Sequence, residues 1–120
     1  MKNNIIKDKS FAFAVRIVGL YKFLKEEKQE YIMSKQLMRS GTSIGANVCE
    51  AIKAVSKKDF TNKIRIALKE ASECEYWIEL LFATNYLNEA EYKSVMSDCE
   101  EVNKILTAIS KSIARDFKED

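Results

Sequence analysis

The sequence has no histidine and no proline, and it contains only three glycines among its 120 residues. The lack of histidine excludes Ser-His-Asp triads, Cys-His dyads, HExxH zinc sites and Glu-x-x-His di-iron sites, all of which need an imidazole. Proline and glycine are the residues that most often interrupt helices, so their scarcity favours long uninterrupted helices. These absences predict a helical protein without the commonest hydrolytic or metal centres.

Cysteine is also scarce, since Cys49, Cys74 and Cys99 stand far apart and form no CxxC pair. Three widely spaced thiols support neither a disulfide framework nor a zinc knuckle. The first ten residues are mostly polar, unlike a signal peptide, and no segment approaches the ~18 consecutive apolar residues that span a bilayer. We therefore expect a cytoplasmic protein that has no contact with membranes.

Charge is unevenly distributed along the chain, although the net charge is only +2. Residues 31–70 carry eight lysines and arginines against three carboxylates, whereas residues 71–120 carry five against eleven. Such asymmetry indicates either a surface that binds a charged partner or two halves that attract each other. With 47% hydrophobic residues, the chain is too apolar to be disordered, and its length fits one domain over residues 1–120.

Apolar residues recur at helical spacing in four segments, each of which predicts an amphipathic helix. The first runs from about Ser10 to Glu26. Its main stripe consists of Phe13, Ile17, Leu20 and Leu24. A second apolar line beside this stripe predicts a wide buried face, and it consists of Phe11, Val15 and Val18.

The second helix is predicted over roughly Tyr31 to Val55. Gly41 and Gly45, four residues apart within it, leave room for another helix to approach closely. The Gly41 position also favours a kink, because glycine costs about 1 kcal/mol against alanine within a helix.

The third and fourth helices have clear start signals. Ser56 with Asp59 three residues later resembles a capping box, and Asn88 with Glu91 repeats the pattern. From each start, apolar residues continue at alternating spacings of three and four. Four amphipathic helices joined by short turns predict an all-α, up-down-up-down four-helix bundle with left-handed packing.

A line of polar residues runs along one flank of the second helix. It consists of Gln36, Ser40, Ser43, Asn47 and Glu50. Lys63, Glu70 and Trp77 form a comparable flank on the third helix, and the polar members of both flanks make up a predicted polar seam. If the flanks meet, Arg39 and Lys63 are the expected partners of the two carboxylates. Whether this seam lies within one bundle or between subunits stays open.

Basic residues gather on the exposed sides of the second and third helices. Lys58, Arg65 and Lys69 share the face of the third helix opposite its apolar stripe. Lys35 and Arg39 are four residues apart on the second. Such arrays attract backbone phosphates through counterion release, so these five residues are the candidate nucleic-acid contacts. The weaker candidates are Lys53, Lys57 and Lys63.

A solvated face without any ligand is the default interpretation of these cations taken alone, because lysine and arginine stand opposite the apolar stripe in most soluble helices. Glu70 and Glu73 are candidate metal ligands of a nuclease, but no DxD or ExK arrangement supports one. Tyr76 and Trp77 lie near the apolar stripe, where core or interface positions fit them better than base stacking. No nucleophile stands beside a base, so we expect no catalytic residue, no metal site and no cofactor.

A specific pattern covers residues 36–51, 57–60, 67–71 and 75–81, and its first segment reads QLMRSGTSIGANVCEA. Together these segments resemble the bacterial 23S rRNA intervening-sequence protein family, whose members are small four-helix bundles. The matching residues are Gln36, Arg39, Ser40, Ser43, Asn47, Glu50, Asp59, Phe60, Lys63, Glu70 and Trp77. The resemblance implies a homo-oligomer in the bacterial cytoplasm, with a pentamer as the expected assembly.

That family is similar to the accessory variability protein of diversity-generating retroelements, a basic pentamer that binds nucleic acid and a reverse transcriptase. The resemblance and the basic faces together lead us to expect a non-enzymatic homo-oligomer. We expect it to bind structured RNA or DNA through the basic faces of its second and third helices. The alternative is a scaffold that docks a partner enzyme without touching nucleic acid.

Overall fold

The computed structural model describes the backbone of residues 2–119 and the side chains of residues 5–116. Four helices make up this part of the chain: α1 (Lys2–Glu27), α2 (Met33–Ile52), α3 (Lys57–Ala83) and α4 (Glu89–Glu119). Each helix packs against the next and α4 returns beside α1, so that α1 and α3 lie diagonally across the bundle. No strand occurs within residues 2–119. The predicted all-α, up-down-up-down four-helix bundle is confirmed, and it is 51 Å long and 22 Å across.

The predicted apolar stripes face the axis of the bundle. One fully buried residue from each helix illustrates this: Ile17, Ile44, Ile78 and Leu106. Cys74 and Cys99 are buried and unbridged, as expected for thiols on apolar stripes. Burial of one large aliphatic side chain contributes about 1.5–3 kcal/mol, so the shared core stabilises these helices more than their intrinsic propensity does.

Helix α1 begins at Lys2, eight residues before the predicted start at Ser10. The prediction is wrong because the buried stripe continues upstream in register. Ser10 is buried, and Ile6, a further four residues back, is only 1% exposed. One buried isoleucine in register therefore extends the packed face through a stretch whose other residues are mostly polar.

The second apolar line of α1 is exposed, so the predicted wide buried face is wrong. Phe11 is 70% exposed and Val15 is 58% exposed, whereas Val18 is half-buried. A helix at the corner of a four-helix bundle has two neighbours, and one stripe fills the space between them. Phe11 and Val15, which we call the α1 apolar line, therefore face solvent in the single chain. Even so, none of the described helices is long and apolar enough to cross a membrane.

A buried carboxylate marks the start of α2, which is shorter at both ends than predicted. The two carboxylate oxygens of Glu30 accept hydrogen bonds from the backbone N–H groups of Ile32, Met33 and Ser34, at 2.6–3.1 Å. Burial raises the pKa of Glu30, but these hydrogen bonds outweigh it and hold the pKa below its ordinary value. Glu30 thus supplies acceptors to N–H groups that would otherwise lack them.

Glycine allows α1 and α2 to approach closely. Helix α2 runs through Gly41 without a break. A Cβ atom added to Gly41 would lie 2.8 Å from Cγ2 of Ile17 on α1. The lack of a side chain at this position therefore sets how near the two helices come.

Both predicted start signals are confirmed. The Ser56 hydroxyl accepts a hydrogen bond from the backbone N–H of Asp59 at 3.1 Å. Asn88 and Glu91 exchange two hydrogen bonds of 2.8 Å, each side chain accepting from the other residue's backbone N–H. This reciprocal arrangement is a complete capping box, and it fixes where α4 begins.

Candidate functional site

Arg39 joins α2 to α3 near the middle of the bundle. Its guanidinium donates to both carboxylate oxygens of Glu70, at 2.9 and 3.3 Å, and to one oxygen of Glu73 at 2.5 Å. These hydrogen bonds, with the one to Glu70 the stronger cause, raise the pKa of Arg39 above its already high ordinary value. Arg39 therefore holds two helices together, and this geometry argues against the phosphate contact expected of it from the sequence.

A second ion pair and one polar contact complete the contacts of this seam. Lys63 Nζ lies 3.0 Å from Glu50 Oε1. Ser40 Oγ lies 3.3 Å from the Sγ of the buried Cys74. The polar flanks of α2 and α3 thus meet inside one chain, and Glu50 would compete with a phosphate for Lys63.

The small polar residues of the seam bond mainly to their own helix. Ser40 donates to the carbonyl of Gln36, Ser43 to that of Arg39, and Asn47 to that of Ser43. Serine and asparagine within helices commonly turn back to a carbonyl four residues earlier, and Gln36 itself is exposed. The charged side chains therefore carry most of the polar contact between α2 and α3, through the pairings with Glu70 and Glu50 that were expected if the flanks met.

Three cations occupy the outer face of α3. Lys58, Arg65 and Lys69 are all exposed, and at 3.6 residues per turn they fall on one narrow strip, which we call the α3 basic line. Among the described side chains, neither Lys58 nor Arg65 forms an ion pair. The α3 basic line thus presents cations to solvent that the bundle itself does not use.

Lys69 is the most compensated member of the α3 basic line, because Glu73 follows it by four residues on the same helix. The pKa of Glu73 lies below its ordinary value, first because Trp77 donates a hydrogen bond of 3.1 Å to it. Arg39 and the positive charge of Lys69 lower it further. Lys58 and Arg65 are therefore the stronger candidates for a ligand contact.

Lys35 lies on α2 beside this surface. It is exposed and precedes Arg39 by one turn on the same flank. Because α2 and α3 are antiparallel neighbours, Lys35 stands near the level of Trp77, one turn beyond Glu73. Of the weaker candidates, Lys53 and Lys57 are exposed around the turn that precedes the α3 basic line.

Carboxylates occupy the other flank of α3, where it packs against α4. Glu75 accepts a hydrogen bond from Asn103 of α4. Burial, followed by the charges of Glu100 and Glu79, raises the pKa of Glu75 despite this hydrogen bond. The surface thus changes sign around α3, from basic on the outer face to acidic on the side of α4.

Tyr76 is 58% exposed, so the core position predicted as one alternative is wrong, while the interface position stays a prediction. Trp77 is half-buried and packs against the core. Tyr76 follows Lys58 by eighteen residues, which is about five full helical turns, so it shares the side of the α3 basic line. The spacing of eighteen residues between Lys58 and Tyr76 therefore predicts from the sequence that the Tyr76 ring faces outward.

The two carboxylates that the nuclease hypothesis proposes as metal ligands form ion pairs instead. Glu70 and Glu73 both bind the guanidinium of Arg39. Over the described residues, no group of three or more acidic, histidine or cysteine side chains is placed to hold a metal ion. The arrangement of these two carboxylates is that of ion-pair partners.

Residues 2–108 match the family model described as 23S rRNA-intervening sequence protein. The chain is also similar to a crystal structure of a protein of unknown function from the S23 ribosomal protein family of Bacteroides thetaiotaomicron. The two are 58% identical with a TM-score of 0.91, covering 92% of this chain and 99% of that one. No curated protein matches the chain. Because the family model spans most of the sequence, the chain belongs to the 23S rRNA-intervening sequence protein family.

Proposed function

We propose that this protein is a non-enzymatic, self-associating helical bundle that binds structured RNA or DNA through the α3 basic line, with Lys35 adding a contact from α2. The observation that carries the proposal is that Lys58 and Arg65 are exposed and unpaired among the described side chains. Arg39 and Lys63 on the neighbouring seam are each held by a carboxylate. The free thiols suit a reducing compartment, so we place this activity in the cytoplasm.

A straight helix with cations on one side suits a nucleic-acid backbone. Lys58 and Lys69 are eleven residues apart, or about 16 Å along the helix axis, so the line spans several phosphates of one strand. Each phosphate contact releases condensed counterions, which favours binding and makes the affinity fall steeply with salt. The proposed contacts are to the phosphate backbone of the nucleic acid, so we expect the affinity to depend little on base sequence.

Self-association is supported by the α1 apolar line. Phe11 lies beside a groove of about 550 Å³ between α1 and α2, which Ala46 and Cys49 also line. An exposed phenylalanine next to an apolar groove gains free energy when another surface covers both. A second copy of this chain is the proposed occupant, and the family resemblance implies a pentamer.

These two surfaces are compatible in one assembly. Helices α1 and α3 lie on diagonal corners of the bundle. A subunit contact on the α1 apolar line therefore does not itself cover the α3 basic line. A ring of copies would repeat that line around its surface and multiply the contacts to one nucleic acid.

The absence of catalysis in this proposal has two supports. The matched family is not a known enzyme family. The carboxylates best placed for metal chemistry, Glu70 and Glu73, are already bound by Arg39.

The direct test is a fluorescence-anisotropy titration of the protein against structured RNA and duplex DNA at low salt. The variant to compare carries Lys58→Glu, Arg65→Glu and Lys69→Glu together. We expect it to lose at least about a hundredfold in affinity, because three phosphate contacts become repulsive. Circular dichroism and sedimentation should match the wild type, since all three side chains are exposed.

The matched control is a second triple variant with Lys22→Glu on α1 and Lys104→Glu and Lys111→Glu on α4. It changes the net charge of the protein by the same amount as the first triple variant. All three of these lysines are exposed. We expect the control to retain binding within about tenfold of the wild type. Equal losses in the two triple variants would contradict a specific α3 surface. No binding by the folded wild type would instead support the alternative of a protein scaffold.

A further inference from the structure

The aromatic ring of Tyr76 extends the α3 basic line. The exposed residues of this helix that follow Lys58 at spacings of four and three are Asn62, Arg65, Lys69, Ser72 and Tyr76. At 3.6 residues per turn, all of them point to the same side of the helix. Tyr76 therefore stands about two turns beyond Lys69, near the level of Lys35 on α2, where a strand bound along the cations would pass.

Contacts on α3 and α2 hold this ring in place. Tyr76 packs edge-on against Trp77, with ring centroids 5.0 Å apart and planes at 75°. Trp77 is fixed in turn, because its indole N–H donates to Glu73 at 3.1 Å and Glu73 also accepts from Arg39. The Tyr76 ring is thus both open to solvent and oriented.

We propose that Tyr76 is a stacking platform for an unpaired base, and that the preferred ligand is nucleic acid with a loop, bulge or single-stranded segment. The inference rests on the proposed function, since the α3 basic line must hold the phosphates that bring the base to the ring. Bases inside a duplex are already stacked on each other, so away from the duplex ends only an unpaired base can lie against an external ring. Cations beside an aromatic ring are the usual chemistry of single-strand recognition.

The test compares two RNA probes with the same number of phosphates, a hairpin with an unpaired loop and a blunt duplex. We expect the wild type to prefer the hairpin. Tyr76→Ala should lower affinity for the hairpin about tenfold and leave affinity for the duplex unchanged. Tyr76→Phe, which keeps the ring, should bind the hairpin as the wild type does.

Trp77 supplies an independent readout, because it is the only tryptophan of the chain and it contacts Tyr76 directly. Stacking at Tyr76 should change the Trp77 fluorescence when the hairpin is added, and the duplex should change it less. This signal should also be smaller when the loop of the hairpin carries abasic sites instead of bases.

Three results would overturn the stacking role: equal affinity of the wild type for both probes, equal losses for both probes in Tyr76→Ala, or no loss in that variant. If one of these is found while the triple charge reversal at Lys58, Arg65 and Lys69 still abolishes binding, the proposed function stands and only the stacking role fails. If the wild type binds neither probe at low salt, both fail together.

Discussion

The outer faces of α1 and α3 lie on diagonal corners of the bundle and have opposite chemistry. Both helices bury apolar stripes with the same alternating spacing, and those stripes meet in one core. On α1 the exposed residues beside the stripe include the aromatic Phe11 and the aliphatic Val15. On α3 they include Lys58 and Arg65. The buried stripes thus specify the bundle, while the outer faces differ in chemistry, and we propose that α1 contacts a second copy of the chain and α3 a polyanion.

The largest effect is expected when the α1 apolar line is made polar. Phe11→Ser with Val15→Ser should dissociate the assembly, because each interface loses about 3 kcal/mol of apolar burial, or roughly a hundredfold in dissociation constant. Sedimentation velocity measures the change, and circular dichroism should show an unaltered fold. Val55→Ser is the matched control, since Val55 is 96% exposed at the α2–α3 turn. An unchanged sedimentation coefficient in the double variant would contradict an interface at α1.

Arg39 and Arg65 should respond differently to the same substitution, because only Arg39 of the two forms ion pairs among the described side chains. Arg39→Gln should lower the free energy of unfolding by about 1 kcal/mol, because Glu70 and Glu73 lose a shared partner that is itself half exposed. Arg65→Gln should change stability by less than about 0.5 kcal/mol and weaken nucleic-acid binding instead. Urea unfolding and anisotropy on the same two variants give both quantities. Similar stability losses in the two variants would show that Arg65 also serves the fold.

The smallest effect on stability is expected from substituting Glu75, which lies on the acidic flank of α3. Its pKa is raised by burial and by Glu100, so the folded protein binds this proton more readily than the unfolded chain does. The stability that follows from protonation is present at low pH and is lost as the pH rises through the folded pKa. Glu75→Gln removes that loss and should stabilise the protein at pH 7 by a few tenths of a kcal/mol.

Urea unfolding at several pH values tests this sign. The difference between Glu75→Gln and the wild type should vanish below about pH 4, where the carboxyl is protonated in both states. Glu27→Gln, at an exposed carboxylate on α1, is the control and should change stability less at pH 7. A destabilised Glu75→Gln variant at pH 7 would show that the hydrogen bond from Asn103 outweighs the penalty of burial.

Much of the fold followed from the sequence because burial imposes a period. Each core stripe is visible in the spacing of apolar residues, and the capping boxes at Ser56 and Asn88 mark where two helices begin. The start of α1 was misplaced because a single residue, Ile6, carries the stripe through a polar segment. The exposure of Phe11 was not predicted. The spacing of apolar residues shows which of them share a face of the helix, but not how many neighbouring helices cover that face.

The candidate site was harder to predict because its residues have the same types as the residues that hold the fold. Arg39 and Arg65 both belong to cationic i, i+4 pairs, and only the packing of α2 on α3 shows that one is bound by two carboxylates. Tyr76 and Trp77 are adjacent in sequence, yet about 100° of helical rotation places one outside and the other against the core. Such distinctions depend on which helices are neighbours, and that information lies outside any single helix pattern.

The salt dependence of binding shows whether the cations of the α3 basic line contact phosphates. The measurement is the slope of log affinity against log salt for the wild type and for the triple variant at Lys58, Arg65 and Lys69. Because each phosphate contact contributes about 0.7–0.9 to that slope, the variant should lose about two to three units of it. Equal slopes in the two proteins would contradict the claim and move the phosphate contacts to another face of the bundle.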